Sequence, residues 1–293
     1  MVCEPARTGL PDQAWRHPPE SPALASGDVH VWRISLDLVP ERIDDLQRTL
    51  APDERERAGR FHFQRDRDRF IVARGALRDI LGRYLRVEPG QVRFCYSSHG
   101  KPACAIGMAP SAIRMAPSAI RMAPNAIGMA PSAIGGGRDT SGGDSGGLRF
   151  NLAHSHRLAL CAVTRGWEVG IDLEYVRADL ADERIAERFF STREVAALRA
   201  VPKGARLQAF FNCWTRKEAY VKARGEGLSM PLDQFDVSLA PGEPAALVST
   251  PTDPQEASRW SLQDISPAPG YVAAIAVEGR DWVLKQWQWP GVR

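Results

Sequence analysis

An α+β fold is what this chain predicts, and three observations predict it. A long helical pattern runs over residues 65–85 and a second over 205–224. Each stands among several short segments in which apolar and polar residues alternate. A low-complexity stretch, 104–147, separates the two groups. One long helix plus several strands in each half is an α+β layout.

The elements are read in order. Ordered structure is expected to begin near Val29, because residues 1–27 are rich in Pro and polar side chains and read as a loose, disordered tail. His30-Val31-Trp32-Arg33-Ile34 alternates as a half-buried strand does. Phe70, Ala73, Leu77, Leu81 and Tyr84 recur at helical spacing. Short strands are expected at 92–96 and 158–164. Ile106-Gly107-Met108-Ala109-Pro110-Ser111-Ala112 is followed by near-copies that start at Ile113, Ile120 and Ile127. A Pro in every copy forbids a continuous helix, so the insertion is expected to be a disordered surface loop, tolerated because loop closure costs little more as a loop lengthens. In the second half, 183–190 and 192–200 read as short helices, and 233–239, 260–265, 271–277 and 282–289 as strands. Gly225 is a suitable residue to end the helix at 205–224. Trp214, at helical spacing with Phe210, Phe211 and Val221, is expected in the core. The expected divisions are a tail (1–27), an N-terminal half (28–167) carrying the insertion, and a C-terminal half (168–293).

Composition excludes little and directs somewhat more. Charge is ordinary and the net value of +3 does not by itself point to nucleic acid. From Glu54 to Arg86, however, ten arginines face five acids, which makes an anion-binding face plausible there. The five cysteines are scattered and in no metal-ligand spacing, as for buried thiols in a reducing compartment. No apolar run approaches membrane-spanning length, and the first residues carry no signal-peptide apolar core, so the cytoplasm is expected.

Two segments carry chemistry. In Gly170-Ile171-Asp172-Leu173-Glu174 a period of two sets Val169, Ile171 and Leu173 on one strand face and both carboxylates on the other. In Trp214-Thr215-Arg216-Lys217-Glu218-Ala219-Tyr220-Val221-Lys222 a helix puts Trp214, Glu218 and Lys222 on one side. Three oxygen donors and an ammonium that converge suit a hard cation such as Mg2+ and a phosphate-bearing substrate. Bland readings stand beside this one. The two carboxylates could be the solvent face of an edge strand, and Glu218 with Lys222 a helix ion pair contributing about 0.2–0.5 kcal/mol.

At these residues the chain resembles the surfactin-type 4'-phosphopantetheinyl transferases. Their G-I-D-[LIV]-E segment and W-x-x-K-E-[AS]-x-x-K helix both stand intact, in family order with Gly100-Lys101-Pro102 and Asn151-Leu152-Ala153-His154-Ser155. The resemblance implies two similar halves about a pseudo-twofold axis with the active site in the cleft between them. It implies transfer of the phosphopantetheine arm of coenzyme A to a serine of an apo acyl, peptidyl or polyketide carrier protein, releasing 3',5'-ADP. Asp172, Glu174 and Glu218 would hold Mg2+; Glu218 or a water it orders would be the base; Lys222 would neutralise the pyrophosphate. Arg57, Lys101 and His154 would meet the 3'-phosphate, with Asn151 shaping the turn that presents His154. Arg69 and Arg74 are further candidates, set against a solvated helix face, and His154 is set against a hydrogen-bonded structural histidine. Glu194 matches a family pattern and also reads as a helix-start carboxylate. Ala153 departs from the family's Ser and removes a hydroxyl. The resemblance suggests a monomer, with no nucleic acid and no membrane among its partners. The competing functions are a non-catalytic coenzyme A or carrier-protein binding module, nucleic-acid binding through the arginine segment, and a Mg2+-dependent phosphohydrolase.

Overall fold

Start signals that apolar spacing had not exposed shape the N-terminal half. Val39-Pro40-Glu41 and Ala51-Pro52-Asp53 each put Pro in the first turn and an acid beside it, which is how helices begin. Two helices follow, α1 (Pro40–Thr49) and α2 (Pro52–Gly59), which bury only Ile43 and Leu46 and only Glu54 and Ala58 respectively. So few apolar anchors leave little period to read in the sequence.

The computed structural model describes residues 15–96, 102–104, 134–135, 147–179, 181, 183–225, 230–250, 253 and 255–291. Lys101, most of the repeat insertion and residues 1–14 lie outside them. In chain order the remaining elements are β1 (Asp28–Ser35), α3 (Gln64–Leu85), β2 (Phe94–Tyr96), β3 (Pro102–Cys104), β4 (Ile134–Gly135), β5 (Leu148–Ser155), β6 (Leu158–Arg165) and β7 (Val169–Tyr175). The second half adds α4 (Glu183–Phe189), α5 (Thr192–Ala200), α6 (Arg206–Arg224), β8 (Asp236–Val237), β9 (Leu247–Ser249), α7 (Glu256–Arg259), β10 (Trp260–Ile265), β11 (Tyr271–Glu278) and β12 (Val283–Gln288). The long helices α3 and α6 fall within a residue of their expected limits, and Gly225 ends α6 at φ 72°.

Two sheets form the centre, ordered β12-β1-β6-β5-β4 and β10-β11-β7. One core lies between α1, α3 and the first sheet, built on Trp32, Ile34, Leu77, Leu81 and Phe150. A second lies between α6 and the other sheet, built on Phe210, Phe211, Tyr220, Ala274 and Ala276. The third, with Val31, Leu160, Ile171, Leu173 and Ile275, joins the two sheets. Successive residues of each strand therefore feed opposite cores, as the period of two requires.

Three features differ from the expected divisions. Within the expected tail Trp15 is packed, and its indole N–H donates to Ser266 O at 3.2 Å. The last strand, β12, pairs in parallel with β1 and so completes the first sheet. Asn151 to Ser155 is the end of strand β5 and not a turn. Trp214 packs with Phe189, Phe190 and Phe210, as expected of a core residue. Cys161 and Cys213 are buried and in no disulfide. Among the described residues no helix is long and apolar enough to cross a membrane.

Candidate active site

The glycine of Gly170-Ile171-Asp172 sets the distance between helix and strand. A Cβ at 170 would overlap Ala219 O and the Ala223 N–H, so only glycine lets α6 lie this close on β7. Ala219 and Ala223 keep the helix side of the contact equally small. This approach carries Glu218 and Lys222, one turn apart on α6, to the strand face that bears Asp172 and Glu174.

Lys222 donates from Nζ to Asp172 Oδ1 at 2.5 Å, and both side chains are buried. Burial pulls the ammonium's pKa down, but Asp172 and Glu218 more than offset this and hold it above its usual value. One ammonium does not neutralise three carboxylates. Burial pushes Glu174 up to about 8, helped by the charges of Asp172 and Glu218. Glu218 rises to about 7, again through burial first, with Lys222 opposing and Asp172 adding to the rise. Glu174 and Glu218 still reach solvent, so the acids line an opening rather than a sealed core.

Asp172 Oδ2 is buried without a hydrogen-bond partner. Among the described residues no three Asp, Glu, His or Cys side chains already stand in a metal-holding group. Lys222 and Ser155 instead hold Asp172 and Glu174 individually. The donor set nonetheless fits a hard cation: carboxyl oxygens only, one of them orphaned, with two carboxyls whose ionisation burial disfavours.

Lys222, Arg57 and Arg69 form a cationic wall around His154. His154, near the end of β5, reaches solvent, yet burial and the charges of Lys222, Arg57 and Arg69 hold it down at about 4. That shift favours the neutral imidazole, which still has one N–H to donate. Arg57 is exposed, with its guanidinium 5.4 Å from the centre of the Phe70 ring. Arg69 is committed in part to Asp37, through Nε at 2.8 Å and Nη2 at 3.3 Å.

Other expected residues fall elsewhere. Arg74 is 4% exposed; its Nε donates to Glu54, and its guanidinium stacks 4.2 Å over Phe94. Arg74 is thus engaged in a buried ion pair and does not lie on a solvated helix face. Asn151 is fully buried, and its Oδ1 accepts the Ile171 N–H at 2.8 Å, so it ties β5 to β7 and shapes no turn. Glu194 is indeed a helix-start carboxylate, closing a capping box with Ser191, but it is buried and paired with Lys217 at 2.7 Å. Lys101 lies outside the described residues. Sequence reasoning quoted Ser155 without giving it a task. Its signal was the period of two from Asn151, which puts both side chains on the face that meets β7.

Residues 168–276 match the family model of the 4'-phosphopantetheinyl transferase superfamily, and 39–115 match that of the 4'-phosphopantetheinyl transferase N-terminal region. The 4'-phosphopantetheinyl transferase HetI of Nostoc sp. is 40% identical over 275 residues, which cover 94% of this chain and 98% of that protein. The 4'-phosphopantetheinyl transferase Sfp of Bacillus subtilis is 26% identical over 80% of this chain and 84% of its own length. A solved holo-[acyl-carrier-protein] synthase from Thermotoga maritima aligns with 39% of this chain and 64% of its own at 23% identity and a TM-score of 0.32. The strand and helix that bring the carboxylates together lie inside the first matched region, and the similarity to HetI runs almost end to end: the chain belongs to the 4'-phosphopantetheinyl transferase family.

Proposed function

We propose that this chain transfers the 4'-phosphopantetheine arm of coenzyme A to a serine of an apo carrier protein, releasing 3',5'-ADP, as a surfactin-type member of its family. Membership in the family supports the reaction. The observation that carries its local chemistry is the cluster of three carboxylates around one ammonium, with Asp172 Oδ2 orphaned.

Asp172, Glu174 and Glu218 would hold Mg2+. When bound, the ion neutralises the charge of the pyrophosphate. The serine oxygen attacks the β-phosphorus; the new P–O bond forms as the bond to the 3',5'-ADP oxygen breaks. Glu218, or a water it orders, takes the serine proton as general base. Lys222 steadies the negative charge that grows on the leaving group. Arg57, with Lys101, meets the 3'-phosphate. His154, neutral before binding, donates one N–H to it. Arg69 adds long-range positive charge at the same wall.

Each half lays one long helix on one sheet, which supports a pseudo-twofold plan with the site in the cleft between the halves. Strand β5 of one half and β7 of the other both supply the site, so a single chain suffices and a monomer is the expected working form. The cytoplasm is its expected place, with coenzyme A and carrier protein, rather than nucleic acid or membrane, as its partners.

The test is intact-mass spectrometry of an apo carrier protein incubated with this chain, coenzyme A and Mg2+, beside an EDTA control. A metal-dependent gain of one phosphopantetheine is expected. No gain on several apo carriers, with coenzyme A still bound, would replace transfer with binding alone.

A further inference from the structure

Strand β7 is the edge of its sheet, hydrogen-bonded to β11 on one side only. An edge strand presents a row of N–H groups that need partners. Here the next strand, β5, belongs to the other sheet, and side chains take the place of a main-chain ladder. Asn151 Oδ1 accepts the Ile171 N–H at 2.8 Å. Four residues on along both strands, Ser155 Oγ accepts the Tyr175 N–H at 3.0 Å. The two rungs bracket Asp172 and Glu174.

Ser155 does one thing more. A hydroxyl has one proton to give besides the lone pairs that accept. Ser155 gives that proton to Glu174 Oε2 at 2.9 Å. One oxygen atom therefore ties the Glu174 carboxylate to the backbone of the neighbouring residue and to the opposite half of the molecule. Lys222 does the corresponding work for Asp172.

We infer that Ser155 is a positioning residue for the cation site: its hydroxyl fixes the Glu174 carboxylate and the register of β7 against β5, and so sets how tightly a divalent cation is held. This rests on the proposed role of Asp172, Glu174 and Glu218. Ligating carboxylates are themselves hydrogen-bonded, and loss of such a partner lowers metal affinity or activity about 10–100-fold.

The experiment measures Mg2+ binding to the full chain by calorimetry and by the Mg2+-dependent rise in thermal midpoint, together with the Mg2+ concentration for half-maximal transfer. Parent, Ser155→Ala and Ser155→Thr are compared. Ser155→Ala is expected to weaken Mg2+ binding at least about tenfold, with the KM for coenzyme A at saturating Mg2+ little changed. Ser155→Thr, which keeps the hydroxyl, is expected to restore the parent affinity. Equal Mg2+ affinity in parent and Ser155→Ala overturns the positioning role and leaves the proposed cation site standing. A parent chain that binds no Mg2+ overturns both. If Ser155→Ala lowers the midpoint without Mg2+ but keeps the parent's Mg2+ affinity, the rung is structural only and the inference fails.

Discussion

Two buried charge clusters of this molecule have opposite balance. Around Glu54, one carboxylate meets two guanidiniums: Arg74 and Arg78 both donate to it, and Arg78 also donates to Pro89 O and Val92 O. Burial raises the Glu54 carboxyl, but the two arginines overcome this and hold it below its ordinary range. Around Lys222, three carboxylates share one ammonium, and two of them are pushed up to about 7 and 8. Burial is common to both clusters. The ratio of charges decides whether a site is closed upon itself or left short of positive charge. The first ties α2 to α3 and is a structural pin; the second has a deficit of positive charge that an incoming cation would fill.

That contrast is open to breakage at several points. The largest effect is expected at Asp172→Asn, which removes a ligand charge while keeping the shape. Transfer should fall about a thousandfold, on the scale of several kcal/mol for a cation's stabilisation of the transition state, with little loss of fold by circular dichroism. Near-normal turnover would remove Asp172 from the site. Glu54→Ala strands two buried guanidiniums, and urea unfolding should show a loss of about 3–5 kcal/mol. A loss under 1 kcal/mol would mean that the arginines find water or other acceptors.

Glu218→Gln makes the comparison sharper, because it removes a charge from the cluster that has too many. Transfer should fall steeply, yet the metal-free chain at pH 8 should gain about 1 kcal/mol, the scale of one pKa unit. The matching pH dependence has a definite sign. Glu174 and Glu218 hold protons more firmly folded than unfolded, so their contribution to stability is fully present below about 4.5 and is lost as pH rises toward 8. His30 and His154, both held near 4 against an ordinary 6.5, slope the other way below 6.5. Between about 6.5 and 8 the carboxyls act alone: thermal midpoints should decline with pH, and saturating Mg2+ should flatten the decline. A flat metal-free profile would show that the acids are not held protonated.

The smallest effect is expected at Arg57→Ala. The KM for coenzyme A should rise about tenfold, on the scale of one charged hydrogen bond, while a coenzyme without the 3'-phosphate is unaffected. Equal shifts for both would take Arg57 away from the phosphate.

Much of the site was legible because it is local. A period of two put Asp172 and Glu174 on one face of β7, and a period of 3.6 put Glu218 and Lys222 on one face of α6, as the structure has them. Legibility failed where a residue's partner lies far along the chain. Arg74 read as a surface cation because nothing within a helical turn announces Glu54, twenty residues earlier. Asn151 and Ser155 read as turn residues because their partners are the backbone of another sheet. Helices α1 and α2 were missed because they bury too few apolar residues to show a period.

By itself, then, the sequence determined which side chains share a face of each element, Asp172 with Glu174 and Glu218 with Lys222, since this follows from backbone geometry and near-neighbour spacing. Tertiary structure alone decided their charge and their company. Asp172 and Lys222 meet across fifty residues, and only once they share a buried place do burial and like charge raise the carboxyls, hold His154 neutral and leave one carboxylate oxygen without a partner. Protonation depends on the summed field and the lost water around a group, and neither exists until the chain has folded.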